Sequence, residues 1–252
     1  MTLQVPLGQY PSLLPFFPDS PENVHVRYFL TKKLCEVYLT GNISNSQAIV
    51  IRPNPTPSEL FGYQNPSALF EILQSLENWQ SILVDNNISE KLGRLISQTK
   101  NIKYEKEIYL VLGQPINTLP TNNTRLLAID DMSLLQRAHK WLQAAGSTSS
   151  YQEMLSDGIA AGIIIDNRLA SIAYATHITE KFADVGVFTS PDHRNKGYST
   201  SVAALLIKEL QAKNLTPVWS TDENNPASLK VAQKLGFTQK CTKTYINLAL
   251  KG

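Results

Sequence analysis

Cysteine is almost missing from this chain: two residues in 252, Cys35 and Cys241, far apart and in no C-x-x-C pair. That excludes a disulfide framework and a cysteine zinc site, and it fits a reducing, cytoplasmic setting. Histidine is as scarce. His25, His139, His177 and His193 show no metal-ligand spacing, so no metal site is expected. No apolar run approaches the ~20 residues that a membrane span needs, so no membrane partner is expected. The start, MTLQVPLGQYPSLLPFF, lacks a basic segment and is interrupted by Pro6, Pro11, Pro15 and Pro18, which reads as an extended packed arm and not as a secretory leader. Charge is thin too, at 17% of residues and +2 net. Residues 1–120 carry 9 basic and 10 acidic side chains, and residues 121–252 carry 14 and 11. No basic track for a nucleic acid exists, whereas a modest excess in the second half suits a small anionic ligand.

The length exceeds the usual single-domain size, so two domains are expected, divided at the polar, proline-flanked stretch Asn117 to Thr124: residues 1–118 and 119–252. In the first, His25 to Leu30, Leu34 to Thr40 and Gln47 to Ile51 read as strands of a small meander, closed by Pro53, Pro55 and Pro57. Helices follow at Ser67 to Leu76 and Ser89 to Thr99, and strands at Gln80 to Val84 and Glu107 to Leu112. In the second, Asp130 to Ala145 reads as a helix and Gly146 to Ser150 as a polar loop. Ala160 to Ile165 and Leu169 to Thr176 read as a hairpin turning at Asp166-Asn167. The fold class is α/β (α+β) throughout.

The chemistry gathers in VGVFTSPDHRNKGYST, from Val185 to Thr200. Val185, Val187 and Phe188 are strand-prone, and Ser190-Pro191-Asp192 ends that strand. Arg194 to Gly197 then lead into a helix from Ser199 to Lys213, with Val202, Leu205, Leu206 and Leu210 at helical spacing. A helix start exposes unpaired N–H groups and the positive end of the macrodipole, and glycine lets backbone approach a ligand closely, so the turn suits phosphate. A second unit repeats the pattern. Pro217 to Thr221 is a strand; Asn225 suits an N-cap, Pro226 the first helical position and Gly236 the end, with Ala227, Val231 and Leu235 as the buried stripe.

Together these motifs resemble the GNAT superfamily of N-acetyltransferases. Its R/Q-x-x-G-x-G/A/S turn matches Arg194, Gly197 and Ser199, and its N-x-x-A/S … K-L-G-F block matches Asn225, Ser228 and Lys234 to Phe237. The match covers roughly residues 124–250. The resemblance implies a GNAT fold, with a mixed central sheet flanked by helices, preceded by a smaller α/β domain that has the element order of a degenerate GNAT half. That first half has no basic glycine turn and is assigned no cofactor; scaffolding or a lid over the substrate mouth is its expected role.

The resemblance further implies that acetyl-coenzyme A binds between splayed strands. Val187, Phe188 and Thr189 would pair with the pantetheine amides, and an amide near Phe188 would stabilise the oxyanion. The amides of Asn195, Lys196, Gly197, Tyr198, Ser199 and Thr200 would hold the pyrophosphate, with Arg194 or Lys196 beside it and Asn225 on pantetheine. An alkylammonium of pKa ~10 is only about one part in a thousand neutral at pH 7, so attack on a thioester needs a general base. Asp184 is the favoured base, with Glu180 next and His177 also near; a strand-end carboxylate capping backbone is the competing role for Asp184. The family's usual tyrosine acid falls at Ala232, which leaves Ser228 as the substitute proton donor or as an ordinary first-turn serine. The expected activity is transfer of an acetyl group to a primary amine of a small molecule or peptide by direct attack. The alternatives are a non-catalytic coenzyme A sensor and a tandem GNAT-type transferase that uses aminoacyl-tRNA. The acceptor and the oligomeric state are not legible.

Overall fold

A computed structural model describes residues 2–54, 56–117, 120, 123–144 and 150–249. The elements run in chain order as β1 (Thr2–Gln4), a 3-10 helix (Leu7–Phe16), α1 (Val24–Lys32), β2 (Cys35–Thr40), β3 (Ala48–Pro53), β4 (Glu59–Gln64), α2 (Pro66–Ser75), β5 (Ser81–Asp85), α3 (Asn86–Ser97) and β6 (Ile102–Val111). They continue as β7 (Thr124–Leu126), α4 (Met132–Ala144), β8 (Ile159–Ile165), β9 (Arg168–Ala175), β10 (Phe182–Asp184), β11 (Gly186–Thr189), α5 (Tyr198–Ala212), β12 (Thr216–Asp222), α6 (Pro226–Leu235) and β13 (Thr238–Leu248). Two compact units result. One takes residues 1–18, 25–108 and 241–252, the other residues 19–24 and 109–240. The expected linker and the loop after α4 fall largely outside the described residues.

In the first unit β1 to β4 form an antiparallel run, β4 and β5 are parallel, and β13 from Cys241 onward pairs antiparallel with β5. The sheet is therefore mixed. Leu69, Ile72, Ile82, Val84 and Leu92 are essentially inaccessible in its core, each contributing about 1.5–3 kcal/mol by burial. α2 begins as local chemistry dictates. Asn65 accepts from the N–H groups of Ser67 and Ala68 at 2.9 and 3.3 Å, and Pro66 occupies the first turn without a donor. The first-turn donors of this strand–turn–helix unit are thus consumed by a side chain.

Three readings of this region need correction. His25 to Leu30 is helical, inside α1, because Val24, Val26, Phe29 and Leu30 are all buried. A helix covered on several sides loses its polar stripe, and Val24, Val26 and Tyr28 then mimic strand alternation. The N-terminal arm is not extended beyond β1: Pro11 and Pro15 sit within a 3-10 helix that buries Tyr10 and Leu13, and the Tyr10 hydroxyl donates to the Cys35 carbonyl at 2.8 Å. β4 follows the proline loop where no strand was anticipated.

The second unit holds an antiparallel sheet in the order β11-β9-β8-β7 and the parallel pair β10 and β12. Asp166 and Asn167 make the expected two-residue hairpin with φ of 48° and 58°, the left-handed pair that such a turn requires. α4 packs Leu134, Leu135, Ala138 and Leu142 with Met154 and Ile172. Its entry is fixed electrostatically: both Asp131 oxygens accept from Arg125, at 2.6 and 2.7 Å, and Oδ2 also accepts from the Ala128 N–H. The hydrogen bonds from Arg125, the largest influence, hold the Asp131 carboxyl below the usual carboxylate range. Its stabilisation is present above the unfolded carboxylate pKa of ~3.9 and is lost as pH falls through the lower folded value. Asp131→Asn is therefore expected to cost about 1–2 kcal/mol in urea unfolding at pH 7, a figure reduced because Arg125 is half exposed, and progressively less as pH falls through the folded value. Equal stability at pH 7 would remove this pair from the account.

Candidate functional site

β10 and β11 are one strand in sequence, broken at Val185, and the break opens the site. Phe182, Ala183 and Asp184 pair in parallel with Thr216, Pro217 and Val218, and the Val185 N–H closes that run on the Val218 carbonyl at 2.9 Å. One residue later the chain changes partner. Gly186 to Thr189 pair antiparallel with Tyr174 to Ser171 of β9 instead, so β11 leaves β12 behind and a wedge opens between them. Gly186 permits the change, since a Cβ there would lie 2.8 Å from the Tyr174 ring. That ring then packs against Phe188, with centroids 5.9 Å apart.

Strand alternation decides which main-chain groups enter the wedge. The Ser190 N–H bonds the Ala170 carbonyl on β9, so the Phe188 N–H, two residues earlier, points to β9 as well. Val187 and Thr189 share the edge of Val185, the β12 side. Of the three residues expected at pantetheine, Val187 and Thr189 turn backbone toward the β12 side, whereas Phe188 turns its N–H to β9 and packs its ring on Tyr174.

Beyond β11 the chain makes a 3-10 turn at Pro191–His193, with Ser190 Oγ and His193 Nδ1 2.8 Å apart. Asn195 and Gly197 then take φ of 62° and 79°, while Lys196 between them does not, an alternation that turns successive N–H groups toward one concavity. The 15-residue helix α5 starts at Tyr198, and its first bond is from the Ser201 N–H to the Gly197 carbonyl. Among the described residues the amides of Asn195, Lys196, Gly197, Tyr198, Ser199 and Thr200 reach no backbone acceptor outside the helix. A Cβ on Gly197 would find no atom within 4 Å, so the space above the turn is open. Lys196 folds back to the Asp192 carbonyl at 3.1 Å, and the Arg194 Nε lies 3.5 Å from the Thr189 carbonyl. Both cations flank the turn, and the donors inside it are main-chain.

Asp184 ends β10 at the fork itself. Its N–H bonds the His177 carbonyl at 3.0 Å, and its Oδ1 accepts from the Ser220 hydroxyl at 3.0 Å. A ring nitrogen of His177 lies within 4.8 Å of the same carboxylate. Glu180 is exposed, on a loop that Asp19 ties down through the Thr179 hydroxyl and the Lys181 N–H at 2.6 and 3.0 Å.

α6 starts as expected, with Asn225 Oδ1 accepting from the Ser228 N–H at 3.1 Å and Gly236 ending it at φ 93°. Its buried face differs from the expected stripe: Ala227 is exposed, and Ala232 and Leu235 are the buried residues. Ala232 is 0% accessible, packed inward. Ser228 Oγ accepts from the Trp219 indole N–H at 2.9 Å, and Trp219 stacks edge-on to Phe237 at 5.4 Å. Trp219 and Ser220 were missed by sequence reasoning. Strand alternation from either wedge-lining or capping residues would have raised them, but their partners lie 9 and 36 positions away.

A family model described as GNAT acetyltransferase matches residues 16–246. No curated protein matches. Among solved structures, a GCN5-related N-acetyltransferase-like protein from Streptococcus suis superposes with a TM-score of 0.69 at 19% identity, over 96% of this chain and 99% of that one. A GNAT-family acetyltransferase from Colwellia psychrerythraea gives 0.68 at 15% identity, over 99% and 100%. A tandem GNAT protein from the clavulanic acid biosynthesis pathway gives 0.61 at 11% identity, over the whole of both chains. At these identities the structures speak for the fold.

Proposed function

Because the chain belongs to the GNAT acetyltransferase family, we propose that it moves an acetyl group from acetyl-coenzyme A to a primary amine of a small molecule or peptide, by direct attack. The observation that carries this reading is the wedge between β11 and β12 opening beside the unpaired amides of Asn195 to Thr200. That donor set fits a diphosphate, whose charge the α5 dipole and the flanking Arg194 and Lys196 complement. Acetyl-coenzyme A, when bound, supplies an activated acyl carbon on a thiol leaving group. Val187 and Thr189 offer main-chain partners to an extended amide arm, and Asn225, whose carbonyl oxygen caps α6, stands at its edge. Asp184, at the fork, takes the proton of the acceptor amine. Ser228 gives a proton to the departing sulfur in place of a tyrosine at Ala232.

Direct attack agrees with the cysteines. Cys35 is 2% exposed, and burial pushes its thiol up to about 12, so it is no nucleophile. A coenzyme A sensor is the second reading, favoured by the inward-packed Ala232. A thiol-release assay over pools of amino acids, polyamines, aminoglycosides and peptides separates the two: an acetyltransferase releases coenzyme A with at least one pool, and a protein that binds acetyl-coenzyme A but releases none with any pool is a sensor. Among the described residues no helix is long and apolar enough to cross a membrane.

A further inference from the structure

β12 passes between the proposed acid and the proposed base, and consecutive residues of a strand point to opposite faces. Trp219 turns to α6, where its indole N–H donates to Ser228 Oγ at 2.9 Å. Ser220 turns the other way, where its hydroxyl donates to Asp184 Oδ1 at 3.0 Å. We propose that Trp219 and Ser220 are paired positioning residues: one strand step sets the proton donor and the proton acceptor of the reaction, resting on the roles given above to Ser228 and Asp184.

The chemistry of each bond is what its task needs. Indole N–H is a donor only, so it occupies a lone pair on Ser228 and leaves the hydroxyl proton to be donated elsewhere. No acceptor for that proton is found among the described residues, and the serine N–H is already held by Asn225. Trp219 is itself immobile, 3% exposed and packed on Phe237, which is 4% exposed. At the other face, Ser220 ties down one carboxylate oxygen of Asp184 and so fixes the plane of the group that is to receive the proton. Asp184 is the last residue of β10 in register with β12, so both positioning bonds arise within two residues of the point where the strands part.

The test uses the full-length protein with the best amine from the thiol-release assay. Trp219→Phe keeps the ring and removes the N–H; Ser220→Ala removes the hydroxyl, and Ser220→Thr restores it. Each loss is expected to lower kcat about 3- to 10-fold, with the KM for acetyl-coenzyme A changed less than two-fold and Ser220→Thr close to the unsubstituted protein. Trp219→Phe combined with Ser228→Ala should be no slower than Ser228→Ala alone, and Ser220→Ala with Asp184→Asn no slower than Asp184→Asn. Unchanged kcat in both single variants, or effects that multiply in the double variants, would overturn the assignment. Should Trp219→Phe fail to fold by melting, the Ser220 series decides. A wild-type protein that transfers no acetyl group would instead strike the proposed function, and this assignment with it.

Discussion

Asp184→Asn is expected to lower kcat by about 10²- to 10⁴-fold while leaving acetyl-coenzyme A affinity within a factor of two. Asparagine preserves the shape at the fork and can still accept from Ser220, which donates at 3.0 Å in the native arrangement, so β10 keeps its parallel pairing and the loss is confined to proton transfer. The deficit has a pH signature. Near pH 7 an amine of pKa ~10 is about a thousandth neutral, and each unit of alkalinity raises that fraction about tenfold. The variant should therefore recover toward the native rate as pH approaches 10, because solvent then supplies the neutral amine that the carboxylate otherwise generates. Native turnover in Asp184→Asn at pH 7 would assign the residue to strand-end capping and move the search to His177 and Glu180.

Gly197→Ala should damage the step before chemistry. With φ of 79° the residue lies in the left-handed region, where a side chain costs about 1–2 kcal/mol. The protein itself offers the added methyl no obstacle within 4 Å. Only a ligand seated over the turn would meet it. Strain and collision together predict a rise of about 10- to 100-fold in the dissociation constant of acetyl-coenzyme A, measured by calorimetry, with cooperative unfolding retained at a slightly lower melting temperature. An unchanged dissociation constant would mean that nothing sits above Gly197.

How far the sequence carried depended on the range of the interaction. The start and end of α6 and the hairpin turn were legible because Asn225, Pro226, Gly236 and Asp166-Asn167 act on backbone within four residues of themselves. The family resemblance rested on the same local chemistry at Arg194, Gly197 and Asn225, and the family match covers most of the chain. α1 was read as strand because burial around Val24, Val26 and Leu30 erased its periodicity. The splay was expected only through the family resemblance, and its place at Val185 was not legible, since nothing local states that Asp184 will pair with Val218 while Gly186 pairs with Tyr174. β13 went unread for a similar reason: Cys241 onward completes a sheet whose adjoining strand, β5, lies some 160 positions earlier. Ser220 and Trp219 acquire meaning only once that strand geometry exists.

Calorimetric titration of the full-length protein with acetyl-coenzyme A and, in parallel, with acetyl-pantetheine, which lacks the diphosphate, bears most directly on the turn at Asn195 to Thr200. Saturable binding of acetyl-coenzyme A with acetyl-pantetheine at least 100-fold weaker is the predicted result. Equal affinities, or no heat from acetyl-coenzyme A at all, would contradict a diphosphate held by those six amides.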